Sequence, residues 1–294
     1  MIDPMFQRNL KEAQRLSRKH IAIVGCGSLG SAFADIAARS GLARLTLVDP
    51  DCVAVENLAR HVLSRRDLGK SKAEALKSAI EGLNPNANVT AVRGKFEDFA
   101  EKPDLVISLT DSFFCQSKVN DYALRNGVSA LFGGCWGEAT LGEIFFLLPG
   151  RTACFECYAG FRRDEVEIPH DPRRYTDPAL DSDPTKLPGQ AGLWGNILII
   201  AGFLFQVALG LLDPENERAQ LIDCERPLWV VNVTAYDSPV FQYLGMHQVR
   251  VQRGCTICDE TKLGELGKDL AIDAIDPCNS PTKNNDTSPV SQGR

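Results

Sequence analysis

Short apolar runs alternate with segments of helical periodicity through the first half of the chain. The apolar runs predict four strands: His20–Val24, Arg44–Asp49, Asn88–Val92 and Asp104–Leu109. The periodic segments predict three helices between and after them: Ser28–Ser40, Lys70–Glu81 and Ser112–Asn126. This order of strand and helix is typical of βαβ units, so it predicts a parallel sheet with right-handed crossovers.

The pattern changes after Gly127. Ser129–Phe132 and Leu141–Leu148 are strand-like and close enough in sequence to form a hairpin. Two further strands are predicted later in the chain, at Pro227–Ala235 and Val249–Gln252. The predicted fold class is therefore α/β: a Rossmann-like parallel sheet that continues into a mixed sheet.

Composition divides the chain into three predicted parts. Residues 1–18 are predicted as an N-terminal amphipathic helix, residues 19–270 as one large domain, and the polar residues 271–294 as a disordered tail. Inside the large domain, Pro169–Gly189 is rich in Asp, Pro and Arg and has no periodicity. Residues 159–190 are predicted to form a long crossover loop. A loop of that length more often has a function than serves only as a connection.

The segment Gly192–Leu212 is nearly long and apolar enough to span a bilayer. It carries Asn196 and Gln206, however, and no cluster of Lys or Arg lies close to either end. A buried helix, also suited to a subunit interface, is the preferred interpretation, with a membrane span as the alternative.

The charge and the N-terminus suggest where the protein acts. The net charge of −6 argues against a general nucleic-acid-binding surface. The first nineteen residues are charged and lack the apolar core of a signal peptide, so we expect a cytoplasmic protein with no membrane partner. Ten cysteines in a cytoplasmic chain are more often metal ligands or core residues than disulfides.

A glycine-rich turn, Gly25-Cys26-Gly27-Ser28-Leu29-Gly30, joins the first strand to the first helix. Glycine lets backbone N–H groups approach a phosphate closely, and the start of a helix adds partial positive charge. Asp49 ends the second strand, where a ribose-binding acid belongs. The turn alone predicts only a nucleotide, and a nicotinamide-dependent dehydrogenase would share both features.

Three donors that follow Asp49 favour ATP. Asn57, Arg60 and Lys72 would suit a triphosphate, and a dehydrogenase has no need of them. Each also has an alternative interpretation without a ligand. Asn57 and Arg60 could be polar residues on a helix surface, and Lys72 could be a solvated lysine in the first turn of a helix. Asp111 follows the fourth strand, where it could hold Mg²⁺ or simply cap the next helix.

Two cysteine pairs, Cys154-x-x-Cys157 and Cys255-x-x-Cys258, lie far apart in the chain. Four thiolates suit a tetrahedral Zn²⁺ with no open position, which is the pattern of a structural zinc clip. Buried free thiols are the alternative. The remaining cysteines before them, Cys26, Cys52, Cys115 and Cys135, are predicted to be packing residues rather than nucleophiles.

Taken together, these segments resemble the ThiF/MoeB/HesA family, the bacterial relatives of ubiquitin-activating enzymes. The resemblance runs from about Ser17 to Glu260. It rests on the glycine turn, the segment from Asp49 through Asp51, Asn57 and Arg60, Gly69-x-x-Lys72, Thr110-Asp111 and both cysteine pairs.

The resemblance implies an adenylation domain that binds Mg·ATP. Such enzymes activate the C-terminal Gly-Gly carboxylate of a small ubiquitin-like or sulfur-carrier protein and release pyrophosphate. By the family pattern, the nucleotide is held by Gly25, Gly27, Ser28, Leu29, Gly30, Asp49, Asp51, Asn57, Arg60, Lys72 and Asp111. Of these, Arg60, Lys72 and Asp111 would be catalytic, and Asp111 would place Mg²⁺. The resemblance also implies a homodimer and, for some members, a conjugating enzyme as a later partner.

The chain departs from the family pattern at three places. Neither Arg8 nor Arg15 matches the N-terminal arginine that touches the triphosphate across the dimer. Ser112 and Gln116 stand where Asn and Arg are usual. No cysteine lies between Cys157 and Cys224, so the chain is predicted to form an adenylate without a thioester on the crossover loop.

Two other functions remain compatible with the sequence. The first is adenylation of a different substrate, such as a peptide, a small acid or a tRNA base. The second is a non-enzymatic scaffold that keeps the fold, although the presence of Arg60, Lys72 and Asp111 argues against it.

Overall fold

The computed structural model describes residues 4–97, 99, 101–136, 139–159, 192–233, 243–252, 255, 257 and 258. Within these residues one eight-stranded sheet organises the chain. Its strands are β1 His20–Val24, β2 Arg44–Val48, β3 Asn88–Val92, β4 Leu105–Ser108, β5 Ser129–Trp136, β6 Leu141–Leu147, β7 Leu228–Asn232 and β8 Tyr243–His247. The α-helices of seven or more residues are α1 Leu10–Leu16, α2 Ser28–Arg39, α3 Lys72–Leu83, α4 Phe113–Asn126 and α5 Trp194–Leu212.

The strands lie in the order β3-β2-β1-β4-β5-β6-β7-β8. The first five of these are parallel, and the last three join by antiparallel pairing. The parallel half follows from the βαβ order, and β5 and β6 form the expected hairpin. The mixed Rossmann-like sheet that the sequence predicts is therefore confirmed.

Two apolar layers cover the sheet. On one face, α2, α3 and α5 pack against alternate side chains of the strands, such as Ile21, Leu45 and Ile107. On the other face, α4 and the segment that carries Cys154 and Cys157 pack against the intervening positions. Both faces of β1 and β4 are buried along their whole length, which explains why these strands are apolar without alternation.

The long apolar segment is a helix of the core. Among the described residues, α5 alone is long and apolar enough to cross a membrane by length and composition. More than half of its length is buried inside the protein, where it lies against α2 and β5. At Gly210 a Cβ atom would lie 2.5 Å from the carbonyl oxygen of Arg218, so the chain after the helix approaches it too closely for a larger residue.

Two late strands differ from the prediction. Residues 249–252 do not form a strand; Val249 and Val251 instead pack against the apolar layer beside the cysteines. The backbone N–H of Gln252 donates to Cys157 Sγ over 3.2 Å, so it is not free for a sheet. The strand that does form is β8, and β7 is shorter than the predicted Pro227–Ala235.

The predicted domain boundaries stay predictions. Almost all of the proposed crossover loop at 159–190 and all of the proposed tail at 271–294 lie outside the described residues. At the N-terminus, the described part of the predicted 1–18 helix consists of a 3-10 turn, Pro4–Phe6, followed by α1.

Candidate active site and metal site

The glycine turn lies at the carboxyl edge of the sheet, between β1 and α2. Gly25 has φ +97°, and a Cβ atom there would lie 2.6 Å from the carbonyl oxygen of Leu109. A Cβ atom on Gly30 would lie 1.9 Å from the carbonyl oxygen of Gly25. By contrast, no heavy atom lies within 4 Å of a Cβ built on Gly27. The first and last glycines are thus needed by the fold, and the middle one faces open space.

Asp49 is buried directly beneath this turn. Its carboxylate accepts the backbone N–H of Cys26 over 2.7 Å and that of Asp51 over 2.8 Å. Burial raises the pKa of Asp49, while Lys72 and the two amide groups act in the opposite direction. Asp49 therefore holds the shape of the turn besides standing where a ribose-binding acid is expected.

Lys72 begins α3 and reaches the same edge. Its Nζ lies 3.0 Å from Asp51 Oδ2, and only 12% of its side chain is exposed. Although burial opposes the charge, the carboxylates of Asp49, Asp51 and Asp111 raise the pKa of Lys72 above its usual value. Lys72 is a partly buried, protonated group beside three carboxylates, so the interpretation as a solvated surface lysine is wrong.

Asn57 and Arg60 lie on one 3-10 turn, Val55–Arg60. Asn57 Oδ1 accepts the backbone N–H of Ala54 over 3.0 Å, which closes the start of the turn. None of the turn's residues is fully buried. The structure therefore gives Asn57 a capping role, which the sequence did not predict.

Asp111 lies just after β4, and its side chain is exposed. The N-cap residue of α4 is Ser112, whose hydroxyl accepts the N–H of Cys115 over 3.2 Å. Gln116 Nε2 donates to the carbonyl oxygen of Thr110 over 3.1 Å, which fixes the backbone on the other side of Asp111. Asp111 lies at the end of the strand, and the negative charge of its carboxylate helps to raise the pKa of Lys72.

The four predicted metal ligands come together. The sulfurs of Cys154, Cys157, Cys255 and Cys258 all lie within 4.8 Å of one another, with individual separations of 3.5, 3.8, 3.9 and 3.9 Å. Around a zinc ion with Zn–S distances of about 2.3 Å, a tetrahedron has S–S edges of about 3.8 Å. The cluster therefore fits Zn²⁺, with the N–H of Gln252 supporting Cys157.

Two of the other described cysteines, Cys26 and Cys135, are poorly suited to act as nucleophiles. Burial raises the pKa of Cys135 to about 12, and burial followed by Asp49 raises that of Cys26 well above its usual value. A thiolate is the reactive form, and both environments disfavour it.

One residue of the site was missed by the sequence interpretation. His61 follows Arg60 and is buried, with Nε2 2.8 Å from the carbonyl oxygen of Cys26 in the glycine turn. The Asp51–Lys72 contact was also missed, although both residues were named separately. A long-range contact leaves no spacing signal, but a histidine directly after Arg60 could have been noted.

The comparisons with known proteins show the family of the chain and its fold. Residues 5–241 match the ThiF family, and this is more than half of the chain. The chain belongs to the ThiF family. Relatives named ubiquitin-like modifier-activating enzyme 5 are 32% identical over 166 residues in Drosophila mojavensis and over 155 residues in Dictyostelium discoideum. The matches cover 50% and 47% of this chain but 41% and 40% of those proteins. The chain thus spans about two fifths of the length of the curated relatives it matches.

Solved structures share the fold at lower sequence identity. E. coli MccB with ATP superposes with a TM-score of 0.65 at 20% identity, covering 87% of this chain and 75% of MccB. E. coli MccB with AMPCPP and MccA gives a TM-score of 0.65 at 18% identity, covering 87% of this chain and 74% of MccB. The Rossmann-like sheet of this ThiF-family chain is therefore shared with MccB.

Proposed function

We propose that this protein uses ATP to adenylate the C-terminal Gly-Gly carboxylate of a small ubiquitin-like or sulfur-carrier protein. The observation that carries the proposal is the meeting of Lys72, Asp51 and Asp49 beside the glycine turn. These groups lie at the carboxyl edge of the parallel strands, where α/β sheets bind ligands. The ThiF family and the ubiquitin-like modifier-activating relatives favour a protein carboxylate as the substrate.

Open space beside the glycine turn supports the binding of a nucleoside triphosphate. The open space at Gly27, next to the start of α2, suits phosphate oxygens, with Gly25, Ser28, Leu29 and Gly30 shaping the turn. Asp49 would accept hydrogen bonds from the ribose hydroxyls. Lys72 would exchange its contact with Asp51 for one with a phosphate, together with Asn57 and Arg60.

Asp111 and Asp51 suit a magnesium ion at the same edge. Mg²⁺ prefers one or two carboxylates together with phosphate oxygens and water, and Asp111 is exposed at the strand end. When bound, the ion would neutralise part of the charge of the triphosphate. Asp111 would hold the ion, and the positive charge of Lys72 would balance the negative charge of the nearby carboxylates.

The proposed reaction needs charge compensation and no general base. A substrate carboxylate is already ionised at neutral pH, so its oxygen attacks the α-phosphorus directly. The new bond is an acyl–phosphate bond, and the bond from the α-phosphorus to the oxygen that bridges to the β-phosphorus breaks. Pyrophosphate leaves with that electron pair. Arg60 and Lys72 would hold the two anions together and stabilise the charge that shifts to pyrophosphate.

We expect the adenylate to be the product that accumulates. No cysteine occurs between Cys157 and Cys224 to accept the acyl group, and burial opposes thiolate formation at Cys135. A conjugating enzyme as a later partner and a cytoplasmic location both stay predictions.

ATP–pyrophosphate exchange tests the proposal. Candidate small proteins that end in Gly-Gly are compared with matched versions from which the last two glycines are removed. We expect exchange with the intact proteins alone, and no reducible protein–enzyme band on a non-reducing gel. A band that disappears in Cys135→Ala would place the acyl group on that thiol instead. The absence of exchange with every candidate would contradict the proposed substrate.

A peptide is the second candidate substrate, because the MccB structures that share this fold over 87% of the chain include complexes with MccA. Exchange that proceeds with short peptides, but not with folded Gly-Gly proteins, would favour this alternative.

We also expect a homodimer. Leu193 and Leu198, at the start of α5, are 69% and 39% exposed, which is unusual for an otherwise core helix. Light scattering at micromolar concentration measures the mass directly, and a monomer would contradict the expectation.

A further inference from the structure

We call the carboxyl edge of the parallel strands, where ATP is proposed to bind, the nucleotide edge. His61 connects two segments of this edge that are far apart in sequence. Its Nε2 lies 2.8 Å from the carbonyl oxygen of Cys26, in the middle of the glycine turn. Its Nδ1 accepts the backbone N–H of Leu63 over 3.2 Å. The imidazole is buried, at 7% exposure, so both contacts are shielded from water.

The partners of the ring fix its protonation. A backbone N–H can only donate, so Nδ1 must carry a lone pair; a carbonyl oxygen can only accept, so Nε2 must carry the hydrogen. The neutral Nε2–H tautomer alone satisfies both contacts. Burial lowers the pKa of His61 and Lys72 lowers it further, while the bond to Cys26 and the charge of Asp67 act against this.

The contact completes a clamp on one residue of the turn. Cys26 donates its N–H to Asp49 Oδ2 over 2.7 Å and accepts from His61 on its carbonyl oxygen. The middle of the glycine turn is therefore held from β2 on one side and from the 3-10 turn Val55–Arg60 on the other.

The 3-10 turn that carries Asn57 and Arg60 lies near the surface and contains no fully buried residue. It contacts α5, and Leu58 packs on the small apolar cluster beneath the turn. The buried hydrogen bond of His61, directly after Arg60, adds a direct tie between this segment and the glycine turn.

We propose that His61 is a positioning residue. It fixes the position of Asn57 and Arg60 relative to the glycine turn and does not touch the nucleotide. This inference rests on the proposed ATP site. If the tie is lost, the triphosphate must order the segment as it binds, so the affinity for ATP falls while the fold remains.

Two substitutions separate the two hydrogen bonds of the ring. In His61→Gln, the amide nitrogen reaches about as far as Nε2, so it can still donate to Cys26. In His61→Asn, the shorter side chain can still accept from Leu63 but cannot reach Cys26. We expect the Gln variant to bind MgATP nearly as well as the wild type, and the Asn variant to bind about tenfold more weakly, which corresponds to one lost buried hydrogen bond.

Calorimetric titration with MgATP gives the dissociation constants, and pyrophosphate exchange gives KM and kcat. A positioning role predicts a rise in KM for ATP in the Asn variant that exceeds any fall in kcat, at a melting temperature close to that of the Gln variant. Equal affinity of the two variants would overturn the assignment and leave the ATP site intact. A wild-type protein that binds no MgATP would refute the proposed function, and this assignment with it.

Nitrogen NMR on the wild type gives an answer even if a variant fails to fold. We expect a neutral His61 with its hydrogen on Nε2 near pH 7, before and after MgATP is added. A hydrogen on Nδ1, or a charged ring, would overturn the clamp.

Discussion

The nucleotide edge and the cysteine cluster use chargeable side chains in opposite ways. At the edge, Lys72 has one close carboxylate contact, Gly27 faces open space and Asp111 is exposed. In the cluster, the four sulfurs all lie within 4.8 Å of one another and three of the four cysteines are buried. The first arrangement leaves positions for a ligand to occupy, whereas the second leaves none beyond a single ion. An open site can carry chemistry, and a closed one contributes to folding.

Asp111 gives the largest expected difference between the two regions. We expect Asp111→Ala to lower pyrophosphate exchange by at least about a hundredfold, because the carboxylate that would hold Mg²⁺ is lost. The melting temperature should not change, since the side chain is exposed and Ser112 caps α4. Asp121→Ala, which removes another exposed carboxylate near Asp111 in sequence, is the matched control and should keep full exchange. Normal exchange in Asp111→Ala would reduce this residue to a structural role.

Lys72 offers a second test, with Lys70 as its control. Lys72 is 12% exposed and contacts Asp51, whereas Lys70 is 56% exposed and pairs with Asp67 on the surface. We expect Lys72→Ala to raise KM for ATP by about ten- to a hundredfold, since a charge-assisted contact with phosphate is lost. Lys70→Ala should leave KM unchanged. Equal effects of the two substitutions would mean that general surface charge, rather than a placed lysine, attracts the nucleotide.

At the cysteine cluster, we expect metal removal or substitution to lower the stability of the fold rather than the affinity for ATP. We expect one zinc ion per chain by elemental analysis, and a melting temperature lowered by at least about 10 °C on chelation, because a closed thiolate site binds its ion only in the folded state. Cys258→Ser should have the same effect, and Cys115→Ser, outside the cluster, should not. MgATP affinity measured below the melting temperature should stay within about twofold. A metal-free protein of unchanged stability would show that the four thiols are ordinary core residues.

The bounds of the strands were predicted more accurately from the sequence than the long-range contacts between side chains were. Strands β1 and β3 match their predicted bounds for different reasons. Strand β1 is buried along its whole length and is therefore mostly apolar, whereas β3 lies at the edge of the sheet and alternates polar with apolar residues. Strand β8 was missed, since Tyr243–His247 mixes polar, glycine and apolar positions. The predicted strand at 249–252 was wrong because two valines that pack beside the cysteines have the same alternation as a strand.

The candidate site was predictable in its residue types but not in its pairing. The sequence proposed Lys72 and Asp111 from their positions and Asp51 from the family resemblance, each as a separate candidate. Spacing does not predict that Asp51 holds Lys72 across 21 residues, or that His61 reaches back 35 residues to Cys26. Such contacts depend on how the loops after β1 and β2 fold together at one edge, which local periodicity does not encode.

The smallest expected effect is a dependence of stability on pH that is confined to the nucleotide edge. Burial lowers the pKa of His61 below its usual value of 6.5, and Lys72 adds to this. The folded state therefore favours the neutral ring. The stability that this preference contributes is present above pH 6.5 and is lost as the pH falls through the folded-state pKa. The free energy of unfolding of the wild type should fall more steeply between pH 7.5 and 5.5, a range of about two units around that value, than that of His61→Gln.

The two curves should differ in slope by at most about 1.4 kcal/mol per pH unit, the linkage limit for one proton. His20, whose pKa is also lowered by burial, is present in both proteins and cancels in the difference. Urea unfolding at a series of pH values measures both curves. Parallel curves would show that the imidazole titrates alike in the folded and unfolded states, in which case the clamp on Cys26 does not depend on a neutral His61.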